Sequence, residues 1–345
     1  MKFGLFGGAK SGGEGPVGDS IGYARYIDYV LRAEELGFHS VFVVEHHFTG
    51  VGQLSASLNF LSYLAGRTRH LRLGTAVVVL PWHNPALLAE QVATLDLLSD
   101  GRFDFGVGKG YRDQEFAGFS IPIAEATARF DETMAFLRQA WAAKTRFSFH
   151  GQHWHFENIV IEPRPVQQPH PPLWMAAGSL ASIRRAAREG FNLLLDQIAP
   201  VELIIERVAA YRDELKAEAR PYHHGQIGVA RALQIIDTDE ERQQALNLRL
   251  KVLKAIGGLA RGPGAERYHN ISTHADADLA SEESALLGTP AEIIARLKKL
   301  EAGGVDYVLL VEPTASTAAL ERFAKDIMPH FARRTSAAVA EEERP

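Results

Sequence analysis

The fold this sequence predicts is a (β/α)8 barrel, an α/β class, and three observations predict it. Eight short apolar runs alternate with helix-periodic segments along the 345 residues. One run, Ala76-Val77-Val78-Val79-Leu80, is apolar throughout, as in a parallel strand covered on both faces. The segment after the first run, Gly7-Gly8-Ala9-Lys10-Ser11-Gly12, matches neither the G-x-G-x-x-G fingerprint nor the phosphate-loop pattern, so an open dinucleotide-binding sheet is disfavoured.

Taken in order, Phe3–Phe6 reads as the first strand. Tyr23–Leu36 reads as a helix, with Ile27, Val30 and Leu31 at helical spacing and Gly37 as its stop. Val41–Val44 is the second strand and Ser55–Ala65 a helix. Leu71–Leu80 is the third strand, and Pro85 opens a helix that ends near Asp100-Gly101. Phe103–Val107 is the fourth strand, followed by a helix over Thr127–Ala140.

Aromatic and polar residues then alternate over Phe147–Glu162, which breaks the rhythm and reads as an inserted β-hairpin, residues 147–162. Leu173–Ala177, Leu193–Leu195, Val229–Ile236 and Tyr307–Val311 complete the strands. Helices are expected over Ala181–Arg188, Val201–Ala217 and Glu240–Ile256. Thr289-Pro290-Ala291-Glu292 is a capping box that starts another, and the last carries Leu320, Phe323 and Ile327. Residues 257–280 are Gly-rich and aperiodic, the pattern of a lid. The barrel is expected to span residues 1–334, with a charged tail over 335–345.

The composition excludes several classes of function. There is no cysteine, so disulfides, thiolate metal sites and cysteine nucleophiles are ruled out. A net charge of −5 and the lack of any basic run argue against a nucleic-acid partner. No apolar stretch has membrane-spanning length, and the N-terminal run is too short for a signal peptide, so the expected location is cytoplasmic.

Barrel chemistry gathers where the strands end. Here those ends hold Gly7-Gly8, Glu45-His46-His47, Ala76–Leu80, Gly106–Gly110, Ala176–Ser179, Asp196-Gln197 and Glu312. The set is mostly small and apolar, which suits a flat aromatic cofactor better than a highly charged substrate. Adjacent histidines on a strand point to opposite faces, so at most one of His46 and His47 would face the site. That leaves proton transfer, a structural hydrogen-bonding role, and a weaker zinc reading. Lys109 among glycines, with Ser179 and Ser182 opening a helix, reads as a monophosphate site, though tight turns and ordinary N-cap serines look the same.

Three motifs in order carry a family resemblance. They are Glu45-His46-His47-Phe48-Thr49, Leu73-Gly74-Thr75-Ala76-Val77-Val78-Val79-Leu80-Pro81, and Leu97 through Gly110, with Gly288-Thr289-Pro290-Ala291-Glu292 as a late fourth. Nearly the whole chain resembles the bacterial luciferase-like, flavin-dependent monooxygenases. The resemblance implies reduced FMN at the strand ends and O2 as co-substrate. It places His46 near the reacting edge of the flavin and Lys109, Ser179 and Ser182 on the phosphate. Gly178 stands where luciferase has a glutamate, so its contact would be through backbone. Ala76 and Val77 match a non-prolyl cis peptide beneath the ring. Gly108 replaces a luciferase cysteine, which should leave more room beside the ring and removes the expectation of light emission.

The implied activity is that of a two-component enzyme. A separate flavin reductase supplies FMNH2, a C4a-peroxyflavin oxygenates a small organic substrate lined by Trp82, Phe116 and Phe119, and His46 manages protons. A homodimer packed through the early helices is expected. The alternatives are a deazaflavin (F420)-dependent hydride-transfer oxidoreductase, a zinc-dependent barrel hydrolase, and a flavin-binding protein without turnover.

Overall fold

Alternation of apolar runs with amphipathic segments produces a closed ring of parallel strands with helices outside. The computed structural model describes residues 1–50, 52–259 and 284–331. The strands are β1 (Lys2–Gly7), β2 (Ser40–Val43), β3 (Arg72–Thr75), β4 (Val78–Val79), β5 (Phe103–Gly108), β6 (Phe147–His150), β7 (His155–Ile159), β8 (Leu173–Ala176), β9 (Asn192–Leu195), β10 (Ile227–Ile235), β11 (Leu286–Gly288) and β12 (Tyr307–Val311). Parallel pairing runs β1-β2-β3-β5-β8-β9, and β9–β10, β10–β12 and β12–β1 close the barrel.

Alternation along each strand divides the apolar side chains between two cores. Val41 and Val43 of β2 join the large outer core beneath the helices. Phe42 between them points into the lumen with Trp174, Leu194, Tyr307 and Leu309. The Phe42 and Trp174 rings meet edge to face at 5.2 Å. Each such fully buried side chain contributes about 1.5–3 kcal/mol. Phe6, Ala76 and Val77 pack on this inner cluster.

The helices are α1 (Gly15–Glu35), α2 (Ser57–Ala65), α3 (Pro85–Leu98), α4 (Asp113–Gly118), α5 (Ala126–Ala142), α6 (Leu180–Glu189), α7 (Val201–Ala217), α8 (Asp239–Leu259), α9 (Pro290–Ala302) and α10 (Thr317–Asp326). α3 begins where Asn84 accepts the N–H groups of Ala86 and Leu87 at 3.0 and 3.2 Å. The capping box forms as read: Thr289 takes the Glu292 N–H, and Glu292 takes the Thr289 N–H at 2.7 Å. The hairpin is β6 against β7, antiparallel. Glu132 of α5 brackets its tip by accepting N–H groups of Gln152, His153 and Trp154.

Three expectations change. Leu71–Leu80 is not one strand; it divides into β3 and β4 around a cis Ala76–Val77 peptide, then turns at Leu80–Trp82. α1 starts at Gly15 rather than Tyr23. The glycines of its first turns permit close packing: a Cβ on Gly22 would lie 1.8 Å from the Lys10 carbonyl oxygen. β11 and α4 were not anticipated; β11 adds three residues beside the end of β10. Of the expected lid, residues 257–259 end α8 and the rest lies outside the described residues, as does the tail over 335–345. Among the described residues no helix is long and apolar enough to cross a membrane.

Candidate active site

Strand β2 stops at Val43, so Glu45-His46-His47 stands on the loop beyond it. Strand alternation therefore does not orient the two histidines, contrary to the sequence reading; different carboxylates do. His47 Nε2 lies 3.2 Å from Glu45 Oε1, and its ring meets Trp82 at 5.7 Å and Phe119 at 4.8 Å, both edge-on. His46 Nδ1 lies 3.2 Å from Glu115 Oε1, and Arg112 Nη2 donates to His46 Nε2 at 3.3 Å. The loop itself is pinned: Val44 N–H donates to Gly7, His46 N–H to Leu54 and Leu54 N–H to Ala9.

Glu45 is the buried anchor of this side. Its carboxylate accepts from Ser57 Oγ at 3.1 Å, Trp82 Nε1 at 3.3 Å and His83 Nε2 at 3.2 Å, besides His47. Burial alone pushes the carboxyl up, but the hydrogen bonds from His47 and His83 outweigh it and hold it down at about 2. Glu45 thus joins the β2 loop to α2 and to the turn before α3. Trp82 stacks on Phe119 at 5.0 Å and meets Phe116 at 5.3 Å. Phe116 is buried in that packing, while Trp82 and Phe119 are partly open.

Of the residues read from the sequence as a phosphate site, Lys109 and Ser182 come together beyond the next strands. A pocket open to solvent is lined by Gly108, Lys109, Phe130, Met175, Ala176, Ser182 and Arg185. Ser179 caps α6, and its hydroxyl donates to Ser182 Oγ at 3.0 Å. Gly178 occupies the turn just before that cap. Ala76 and Val77 lie at the β3–β4 break, facing the lumen. The space beside Gly108 is not open as expected: a Cβ there would sit 2.5 Å from Val77 Cγ2, so Val77 fills it.

Asp196 and Glu312, also at strand ends, serve their own loops. Asp196 accepts the Ile198 and Ala199 N–H groups and pairs with Arg207 at 2.7 Å. Glu312 accepts the N–H groups of Thr314 and Ser316. Among the described residues no group of three His, Asp or Glu side chains is arranged to hold a metal ion, so the zinc reading finds no site there.

Sequence reasoning missed Arg112, Glu115 and Arg185. Arg112 and Glu115 are 6% and 3% exposed, yet Arg112-Asp113-Gln114-Glu115 reads as a solvated helix start. The available signal was the three-residue spacing, which on α4 puts both beside His46. Arg185 follows Ser182 by three residues on α6 and so reaches the same pocket.

Comparison with known proteins follows from this geometry. The family model described as luciferase-like monooxygenase matches residues 1–307. The oxygenase component of a flavin-dependent trigonelline monooxygenase from Acinetobacter baylyi is 27% identical over 329 residues, 90% of each chain. An F420-dependent glucose-6-phosphate dehydrogenase from Amycolatopsis mediterranei is 26% identical, over 90% of this chain and 95% of that one. The crystal structure of monooxygenase RslO1 from Streptomyces bottropensis superposes with a TM-score of 0.79 at 29% identity, covering 96% of this chain and all of that one.

Proposed function

From the premise that this chain belongs to the luciferase-like monooxygenase family, we propose that it is an FMNH2-dependent monooxygenase that oxygenates a small organic substrate with O2. The observation that carries the reading is the continuity of two half-sites. Lys109 and Ser182 line one pocket, Val77 fills the space beside Gly108, and Arg112, three residues past Lys109, touches His46.

The residues present fit FMN. Lys109, with Ser179 and Ser182 at a helix start, offers a cation, hydroxyls and N–H groups to a phosphate. Ala76 and Val77, on the apolar inner cluster, offer a flat platform to the ring system. Reduced FMN, when bound, supplies the electrons that activate O2. The chain's own side chains do the rest. Trp82, Phe116 and Phe119 exclude water, which favours oxygen transfer over loss of H2O2. Glu115 faces His46 Nδ1 and sets the ring so that Nε2 is the atom that exchanges a proton.

Relatives named as an oxygenase component support a flavin reductase as transient partner. Exposed Tyr63 on α2 and Leu87 and Leu98 on α3 support a homodimer packed through these helices, which light scattering tests.

Because an F420-dependent dehydrogenase is also similar to this chain, the decisive experiment has two arms. Protein mixed anaerobically with FMNH2 is exposed to O2 in a stopped-flow cell, and in parallel reduced F420 is offered with candidate acceptors. The expected result is multiphase, protein-dependent reoxidation of FMNH2 and no use of F420. Reoxidation of FMNH2 at the rate of free flavin, with turnover of F420, would replace this reading by hydride transfer.

A further inference from the structure

Arg112 is buried beside His46, and its hydrogen bonding is incomplete. It is 6% exposed, yet its Nε and Nη1 have no hydrogen-bond partner. Nη1 stands 3.6 Å from Glu115 Oε1, beyond hydrogen-bond range. That oxygen already serves His46 Nδ1 at 3.2 Å and the His47 N–H at 3.0 Å. A buried guanidinium with two idle donors is costly unless something completes its shell.

Its one bonded arm raises a second point. Nδ1 of His46 faces a carboxylate and so carries the ring proton; Nε2 then holds the lone pair and accepts from Arg112 at 3.3 Å. While that contact lasts, Nε2 can neither take nor give a proton. The proton chemistry of the site therefore requires Arg112 to find a better acceptor than a neutral imidazole. An anionic oxygen is such an acceptor, because charge-assisted bonds are about twice as strong as neutral ones. The rings of Trp82 and Phe119 pack edge-on against His47, the next residue of the same loop.

We propose that Arg112 recognises an anionic oxygen group, a carboxylate in the first instance, on an aromatic or apolar substrate, and in turning to it releases His46 Nε2. The proposal rests on the monooxygenase reading for the reaction, but substrate recognition itself needs no flavin.

Calorimetric titration of the flavin-free full chain with benzoate and with its neutral isostere benzamide tests it. Benzoate should bind the wild type at least about tenfold more tightly than benzamide. Arg112→Gln should bring the two within about twofold, and Arg112→Lys should keep part of the preference. Lys109→Ala should leave it intact, which separates this site from the phosphate pocket. In 15N spectra benzoate should shift the His46 Nε2 resonance of the wild type. Equal binding of the two ligands, a preference that survives Arg112→Gln or vanishes in Lys109→Ala, or an unmoved Nε2 resonance would overturn the proposal. FMNH2 reoxidation is measured separately, so failure of the cofactor reading and failure of this one are told apart.

Discussion

Two sides of the barrel mouth are both built around carboxylates, and they use them differently. Beyond β2 and β5, Glu45 and Glu115 hold His46, His47 and His83 at 3.2 Å, with Arg112 only partly engaged. Beyond β9 and β10, Asp196 is held by Arg207 at 2.7 Å and by two N–H groups at 2.8 Å. Arg231 donates to the Asp196 carbonyl at 3.0 Å, and Arg249 donates to Ser284 at 2.8 Å. Burial lowers Arg231 and Arg249 only to about 10, so they stay cationic at neutral pH. One side is made of groups that can exchange protons, the other of groups with fixed charge and short bonds, and Arg231, like Arg112, keeps two buried donors without a hydrogen-bond partner. The first suits chemistry and the second suits scaffolding.

The largest test of that contrast is His46→Ala. Oxygenation by the FMNH2-loaded protein should fall about 10²–10⁴-fold, the usual share of a positioned acid or base, while FMN affinity changes little. Undiminished turnover would put His46 on the scaffolding side. Next comes Asp196→Asn, which leaves buried arginines without their carboxylate. Chemical denaturation should show a loss of about 3–5 kcal/mol. A loss within about 0.5 kcal/mol, the range of an ordinary surface change, would mean that the β9–β10 side is not the structural one.

Acid titration of stability sharpens the comparison further. The Glu45 carboxyl titrates at about 2 in the folded protein against an ordinary 4.5, a depressed value. Its stabilisation is therefore present above the ordinary value and is lost as pH falls toward 2. The loss is on the order of 3 kcal/mol. Glu45→Gln should flatten that limb of the stability curve, and an unchanged slope between pH about 5 and 2 would show that the histidines do not hold it. The smallest effect is expected at the proposed phosphate pocket: Lys109→Ala should raise the FMN dissociation constant about tenfold, read by flavin fluorescence.

The barrel was legible because its signal is periodic. Apolar runs such as Tyr307–Val311, and helix-start signals such as Pro85 and Thr289–Glu292, act locally and survive folding unchanged. Lys109 and Ser182 were readable because glycines and an N-cap mark turns. What was not legible depends on contacts across long stretches of chain. Glu115 reaches His46 from 69 residues away, and Glu45 reaches His83 from 38. The start of α1 at Gly15 was hidden in the same way, since only the approach of Gly22 to Lys10 shows why a side chain is excluded there. Val77 and Gly108 show the same limit, since the side chain missing at Gly108 is replaced from the break between β3 and β4.

The backbone pinning of His46 has a consequence for how such an enzyme can diversify. Its N–H is tied to Leu54, and Leu54 to Ala9, so the imidazole rides on chain already anchored to the first two strands. The hairpin has a fastening of its own, to Glu132 of α5, whereas α4 is tied to this loop through Glu115. A change in the hairpin should therefore leave the His46 ring in place, whereas a change in α4 reaches it directly.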